Sequence, residues 1–207
     1  MKKFALIAVG VMLMLFARSV SAQPEASVLI HKTVNNIRSH NNFEVGFNYY
    51  LDAGNDLIST KNGQAWFQGD AYKIIMEEQH TISDGTTLWS YLVNDEEVMV
   101  SNTSDDPDNT PFKLLTTFDK DYTATYLPSS TKDESIVKLT NPNGPYESIE
   151  LTINNKTNKV LAIVVRPQEG LPFVIHIDEW KFDQDFKEGF FTFDEKAYPN
   201  VDIIDMR

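Results

Sequence analysis

The apolar residues near the start of the chain follow the period of a helix. Between Glu25 and about Arg38, Ile30, Val34 and Ile37 recur at intervals of four and three residues, which places them on one stripe of an amphipathic helix. Glu25 lies near the predicted helix start and Arg38 near its end, where their charges interact favourably with the helix dipole. The pattern predicts an N-terminal helix whose apolar stripe, carrying Ile30, Val34 and Ile37, covers a core.

From Phe43 onward the apolar period changes to two, which is typical of strands buried on one face. Asp84-Gly85 indicates a type I′ hairpin, because that turn requires positive φ at both central residues. Strands joined by short turns, without a second long helix, indicate a meandering antiparallel sheet that curls as its twist accumulates. The sequence predicts a short helix over 111–120 and strands over 43–51, 57–68, 72–76, 80–82, 89–93, 96–101, 136–139, 146–153, 160–165, 173–180 and 190–193.

A curled sheet that one helix covers only in part leaves room for an apolar pocket. Large side chains at strand positions are the candidates for its lining, and each of them would suit a filled core equally well. Both interpretations stay open at this point. The candidate lining residues are Phe47, Tyr49, Trp66, Tyr72, Ile74, Met76, Trp89 and Tyr91.

The first 22 residues have the order of a secretory signal peptide. Lys2 and Lys3 precede an apolar run over residues 4–16, and Val20-Ser21-Ala22 offers small residues before a cleavage point. A helix over that run would span about 20 Å, which is less than the roughly 30 Å hydrocarbon layer of a membrane. We therefore expect residues 1–22 to be removed on secretion and residues 23–207 to form a single domain.

The composition excludes several classes of protein. The chain has 30 acidic and 18 basic side chains, a formal net charge of −12 and no cysteine. Binding to nucleic acid or to an anionic membrane would require basic surfaces. Without cysteine, disulfide frameworks and thiolate metal sites are excluded as well.

Catalytic and metal-binding motifs are absent from the sequence. The four histidines have no metal-ligand spacing, and nucleophile elbows and phosphate-binding glycine loops are missing. Asp105, Asp106 and Asp108 could approach a calcium ion, but the glycine and distal glutamate of an EF-hand loop are missing. A secreted hydrolase would need two convergent carboxylates, which the sequence does not indicate. We expect a non-catalytic protein without metal or cofactor.

Two segments carry a resemblance to a known family. Residues 84–91 read DGTTLWSY, and the C-terminal part contains Phe191-Thr192-Phe193 followed by YPNVDIID over residues 198–205. Together these segments resemble the LolA family of periplasmic lipoprotein carriers, in which a DG-LW-Y hairpin precedes an FxF and a C-terminal VDxxD segment. The order of signal peptide, lone helix, strands, hairpin and C-terminal segment is also similar across the mature chain.

The resemblance implies a mainly β fold: an incomplete, half-open antiparallel barrel with an N-terminal helix and short helices as a lid over an apolar cavity. It implies a monomeric periplasmic carrier that binds acyl chains of lipoproteins, or another lipid, and moves them toward the outer membrane. The partners it implies are an inner-membrane release complex and an outer-membrane acceptor. The alternative is a non-catalytic lipid-sensing or protein-binding module on the same fold.

The chain departs from the family pattern at one place. Family members commonly carry Arg-Pro after the strand that ends near a tryptophan, and that arginine helps to close the lid. Here Trp66-Phe67-Gln68 is followed by Gly69-Asp70. The nearest cation, Lys73, lacks the planar fork of a guanidinium, so the mode of lid closure is not carried over.

Overall fold

The computed structural model describes residues 24–54, 56–57, 60–104, 122–129 and 131–207. The predicted signal peptide, the short helix predicted over 111–120 and the acidic loop with Asp105, Asp106 and Asp108 lie outside these residues. Helix α1 runs from Pro24 to Arg38, which confirms the predicted helix. Proline at the first helical position suits the helix start because its missing N–H has no intrahelical partner there.

Thirteen strands follow α1 within the described part of the chain. The predicted strand over 57–68 is divided into the short β2 and the longer β3. Residues 190–193 were wrongly predicted as a strand: they form hydrogen-bonded turns, in which the Phe190 N–H donates to the Lys187 carbonyl and the Thr192 N–H to the Gly189 carbonyl. The strands are β1 Asn42–Ala53, β2 Asp56–Leu57, β3 Lys61–Gln68, β4 Ala71–Ile75, β5 Gln79–Ser83, β6 Thr87–Leu92, β7 Glu97–Asn102, β8 Thr123–Leu127, β9 Glu134–Thr140, β10 Tyr146–Asn154, β11 Val160–Pro167, β12 Phe173–Phe182 and β13 Asp202–Asp205.

All of these strands belong to one open sheet with the order β13-β7-β6-β5-β4-β3-β1-β12-β11-β10-β9-β8, and β2 pairs with β1. The chain thus builds outward from β1 in two directions. Neighbouring strands are antiparallel except β13, which pairs in parallel with β7. A mainly β fold with an N-terminal helix and an open, incomplete barrel is confirmed.

The hairpin at Asp84-Gly85 joins β5 and β6 as predicted, but it is not a type I′ turn. Gly85 has a φ of 95°, whereas Asp84 is not among the described residues with positive φ. Instead, the Asp84 carboxylate accepts hydrogen bonds from the backbone N–H groups of Thr86 and Thr87, each at 2.8 Å. Three residues form the loop, and the aspartate stabilises it as an Asx turn does.

The sheet must curve for α1 to contact the core as it does. Twelve paired strands laid flat would extend about 50 Å at their usual spacing, whereas a 15-residue helix is about 22 Å long. Buried side chains of α1 nevertheless share one apolar cluster with residues of β1 and with Ala124 on the edge strand β8. The sheet therefore wraps around the helix on one face.

Candidate functional site

The strand register defines two faces of the sheet, because directly paired residues project to the same side. Phe43 pairs with Phe67, and Phe67 with Tyr72. All three belong to the cluster that contains the buried residues of α1. We call this side the inner face and the opposite side the outer face.

Five of the eight candidate lining residues lie on the inner face. Four are buried, and Met76 is partly buried against the same cluster. The predicted helix residues Ile30, Val34 and Ile37 are buried above them. Contact with a ligand at these positions stays a prediction. The five inner-face residues are Phe47, Tyr49, Tyr72, Ile74 and Met76.

The other three candidates, Trp66, Trp89 and Tyr91, lie on the outer face, so the eight residues do not form one lining. Trp66 pairs with Lys73, and Lys73 in turn pairs with Ile82, which pairs with Trp89. All are one position out of phase with the inner face. On the inner face the neighbouring Phe67 takes the place expected for Trp66.

The C-terminal segment covers the outer face at these positions. Tyr198 packs 5.0 Å from Tyr91 between ring centres and 5.2 Å from Phe193, and both are part of a second cluster with Ile82, Val98 and Val100. This second core is the physical reason for the apolar outer positions of β5–β7.

Phe190 extends this cover toward β3 and β4. Its ring meets Trp66 edge-on at 5.6 Å, and the ammonium of Lys73 lies 5.1 Å from its centre. Burial lowers the pKa of Lys73 below its usual value. The aromatic face of Phe190 partly compensates for the water that the ammonium has lost.

Three further aromatic residues of the inner face were missed by sequence reasoning. Phe43 and Phe67 stack with ring centres 4.6 Å apart, and Phe173 lies 5.6 Å from Tyr49. Phe43 opens the same alternating run as Phe47, so its phase was available in the sequence. The sequence did not show whether Trp66 or Phe67 lies on the inner face, because the two neighbours are equally apolar.

Gly63 makes room for one of the predicted lining residues. It pairs with Phe47 across β1 and β3, and the Phe47 ring is folded over it. A Cβ added at Gly63 would lie 2.4 Å from Phe47 Cζ and 3.0 Å from the Ile75 carbonyl oxygen. Gly63 does not have a positive φ, so glycine is required here because there is no space for a Cβ.

A polar cluster closes the inner face at the end of β1 remote from α1. The Tyr49 hydroxyl donates to a Glu78 carboxylate oxygen at 3.0 Å and accepts from the Glu77 backbone N–H at 3.3 Å. Lys61 pairs with Glu78 and lies 3.4 Å from a Glu77 carboxylate oxygen. Burial first, and then the charge of Glu77, raise the pKa of Tyr49 above its usual value. The phenol therefore stays protonated and keeps its bond to Glu78.

Side-chain contacts hold α1 at both of its ends. Near its start, the Tyr126 hydroxyl donates to the Glu25 carbonyl at 3.2 Å. Just beyond its end, His40 Nδ1 lies 2.7 Å from Asp183 Oδ2, and its ring stacks on Phe182 at 4.0 Å. The hydrogen bond with His40 is the main cause that lowers the pKa of Asp183. Both contacts are on the periphery, whereas the buried side of α1 packs in the apolar cluster of the inner face.

Thr33 is an exception within that packing. It is fully buried on the sheet-facing side of α1, and its hydroxyl has no hydrogen-bond partner within the described parts of the chain. Leaving a buried hydroxyl unsatisfied costs about 1–3 kcal/mol. We call the position of α1 packed on the inner face its closed position. The unsatisfied hydroxyl lowers the stability of this position by about 1–3 kcal/mol relative to apolar packing alone.

The outer face carries an open groove of about 560 Å³ next to the bulge in β1 and β12. Its lining includes the outer-face residues Gln64, Ile75, His80 and Asp178, and it also reaches Phe47, Gly63 and Met76 of the inner face. Burial and, to a smaller extent, the charge of Lys73 lower the pKa of His80 below its usual value of 6.5. Histidine in this groove is therefore neutral at pH 7.

Within residues 24–54, 56–57, 60–104, 122–129 and 131–207, three or more His, Asp or Glu residues do not converge as a metal site would require. Over the same residues, the structure has no helix with the length and apolarity needed to cross a membrane. The expected absence of catalysis, metal and cofactor stays a prediction.

Comparison with known proteins agrees with the resemblance noted in the sequence. Residues 76–194, more than half of the chain, match the family model described as outer membrane lipoprotein carrier protein LolA. A curated outer-membrane lipoprotein carrier protein from Psychromonas ingrahamii is 31% identical over 138 residues. That match covers 66% of this chain and 65% of the relative, slightly less than two thirds of its length.

Two solved structures with low sequence identity align with most of this chain. An uncharacterized conserved protein from Thermus thermophilus aligns with a TM-score of 0.58 over 87% of this chain and 99% of its own, at 10% identity. A LolA superfamily protein from Nitrosomonas europaea gives a TM-score of 0.44 over 81% and 97% of the two chains, at 16% identity. Of these two structures, the one from Thermus thermophilus supports the shared architecture, because its TM-score exceeds 0.5. By the family model, the chain belongs to the LolA family of outer membrane lipoprotein carrier proteins.

Proposed function

We propose that this protein is a periplasmic carrier that binds the acyl chains of lipoproteins between α1 and the inner face and carries them toward the outer membrane. The apolar inner face covered by one helix is the observation that carries the proposal. Membership in the LolA family and the name of the Psychromonas relative support it. In this role the chain acts as a monomer that receives its cargo from an inner-membrane release complex and passes it to an outer-membrane acceptor.

The physical requirement for such a carrier is apolar surface without catalytic groups. Each buried CH₂ group of an acyl chain contributes about 0.8 kcal/mol. Phe47, Tyr72 and Ile74 offer that surface beneath α1. The polar cluster of Lys61, Tyr49 and the two glutamates limits the apolar region at one end, so a bound chain lies between this cluster and α1.

A carrier must also release its cargo, and α1 is suited to opening. Its central Thr33 lowers the stability of the closed position, and the contacts of Tyr126 and His40 at its periphery are exposed hydrogen bonds. No arginine follows Trp66 in this chain. We infer that Tyr126 and Asp183 hold the ends of the helix in place of the family's arginine.

The test is native mass spectrometry of the mature protein purified from the periplasm of its own cells, followed by lipid extraction. Bound acyl lipid or lipopeptide released on denaturation supports the carrier. A bare mass, together with failure to take up a fluorescent fatty acid, contradicts it and favours the lipid-sensing or protein-binding module.

Two variants separate inner-face binding from binding elsewhere. Ile74→Trp adds a large ring within the inner-face cluster, whereas Ile75→Trp adds the same ring at the outer groove, which Ile74 does not line. Fatty-acid uptake should fall several-fold in I74W and stay unchanged in I75W. Equal effects, or a larger effect in I75W, would place the ligand outside the proposed site.

A further inference from the structure

Strand β13 ends the sheet with unused backbone hydrogen-bonding groups. The Asp202 N–H donates to the Glu96 carbonyl at 2.9 Å, and the Met206 N–H to the Val100 carbonyl at 2.8 Å. In a parallel pair, alternate residues bond the same neighbouring strand. The N–H and C=O groups of Ile203 and Asp205 therefore point away from β7, where the described part of the chain places no further strand.

The side chains of this edge are apolar and exposed. Ile203 and Ile204 are each 44% exposed and project to opposite faces, and Met206 is 56% exposed. A strand added at this edge would cover apolar surface on both faces of the sheet. Exposed neighbouring isoleucines at an unpaired edge are unusual, because such edges pair readily with other chains.

The surroundings of the edge are acidic. Asp202 and Asp205 are on β13 itself, and Asp95, Glu96 and Glu97 are in the adjoining turn and at the start of β7. Asp205 is paired with Arg207 at 2.7 Å, which leaves the other four carboxylates to set the local potential. An extended segment with lysine or arginine side chains is the complementary partner.

A second copy of this chain is disfavoured by the same charges. Pairing two β13 strands would bring the carboxylates of both copies together, and like charges opposite each other destabilise a strand pair. The formal net charge of −12 adds to this repulsion. The charges that protect the edge from self-association leave it open to a basic segment.

We propose that β13 is a docking strand, to which a partner protein adds an extended segment with alternating apolar and basic side chains. Backbone hydrogen bonds to Ile203 and Asp205 fix the segment, the exposed isoleucines contact its apolar side chains, and the acidic residues select its basic ones. This surface is separate from the inner face, so the proposal does not depend on the bound lipid.

The test uses the full mature chain, labelled with ¹⁵N, and a capped hexapeptide of alternating valine and lysine. Chemical-shift changes should centre on residues 203–205, and hydrogen exchange of the Ile203 and Asp205 amides should slow. A matched peptide of alternating valine and glutamate should not bind. Absence of valine–lysine binding, or binding centred on another strand, overturns the proposal, as does a dimer joined through β13 in sedimentation.

Two variants test the backbone and the charges separately. Ile203→Pro removes an outward N–H and should weaken peptide binding about tenfold, as the loss of one to two strand hydrogen bonds predicts. Ile203→Val keeps this N–H and should bind the peptide as the wild type does. Unchanged amide exchange of Val98 and Val100 establishes that β13 remains paired in I203P. If β13 is released, Asp202→Asn with Glu97→Gln replaces that variant and should weaken binding and reduce its salt dependence. Wild-type affinity in I203P with β13 still paired, or in the Asp202→Asn, Glu97→Gln variant, overturns the proposal.

Discussion

Replacing Gly63 by alanine tests the arrangement of the inner face most directly. The new Cβ would lie 2.4 Å from Phe47 Cζ and 2.6 Å from Cε2, well inside the contact distance of two carbon atoms. Phe47 is 2% exposed, and the new Cβ would also lie 3.0 Å from the Ile75 carbonyl oxygen, which belongs to the backbone of β4. Overpacking of this kind costs about 1–3 kcal/mol, so Gly63→Ala should lower the free energy of unfolding by about that amount.

Gly46 provides a matched control on the neighbouring strand. A Cβ at Gly46 would meet only Glu179 Cβ at 3.8 Å, an ordinary van der Waals contact. Gly46→Ala should therefore be neutral or stabilising by about 0.5–1 kcal/mol, because alanine reduces the entropy of the unfolded chain. Urea unfolding followed by tryptophan fluorescence measures both variants.

A double variant identifies the cause of the loss. In a Phe47→Leu background the ring is absent, so Gly63→Ala should cost at least about 1 kcal/mol less than in the wild type. If G63A is as stable as G46A, or if its cost is the same with and without the Phe47 ring, then the ring does not lie over Gly63 and the inner-face geometry is wrong.

Three further predictions concern the helix and the outer face. Thr33→Val should raise the free energy of unfolding by about 1–3 kcal/mol and slow amide exchange in α1, because it removes a buried hydroxyl without a described partner; Thr33→Ser keeps the hydroxyl and should not stabilise. The pKa of His80, measured by NMR titration, should lie below 6.5, so the unfolded chain takes up the proton at a higher pH than the folded chain does. The contribution of His80 to the free energy of unfolding is therefore present above pH 6.5 and is lost as the pH falls through the folded-state pKa. His80→Gln should reduce that part of the pH dependence of the free energy of unfolding, measured in urea. Phe190→Leu should destabilise by about 1–2 kcal/mol, since it loses the edge contact with Trp66 and the cation–π contact with Lys73; an unchanged unfolding midpoint would contradict this.

The helix and most strands could be predicted because their signals are local. Ile30, Val34 and Ile37 lie one turn apart, and a stripe at that spacing has no other regular conformation that buries it. The alternation in β1 likewise identifies its buried face, from Phe43 to Tyr49. An open sheet then follows from many short strands joined by short turns.

The choice of face could not be predicted in the same way. Alternation in β6 correctly indicates that Trp89 and Tyr91 are on the apolar face, but it does not say which core that face meets. The prediction assumed one core, and the C-terminal segment forms a second with Phe193 and Tyr198. Residues 190–193 were predicted as a strand for a similar reason: alternating phenylalanines pack on a sheet without pairing to it.

The polar features of the site depend on contacts between distant parts of the chain. Asp183 follows His40 by 143 positions, yet the two meet because β1 and β12 are neighbours in the sheet. From the sequence alone, Gly63 is only a residue that weakens a strand. Its role follows from the register, which places Phe47 opposite it. Neither local propensity nor hydrophobic period contains this information.

The two cores give the two faces of the sheet different capacities for change. The inner face is covered by α1, whose closed position includes an unsatisfied hydroxyl and peripheral hydrogen bonds, so a ligand there competes with a helix of limited stability. The outer face of β5–β7 is covered by rings of the C-terminal segment, and β13 at the end of that segment pairs with β7. Opening of α1 therefore does not require β13 to separate, so the proposed partner at the edge could remain in place during the proposed uptake and release of a lipid at the inner face.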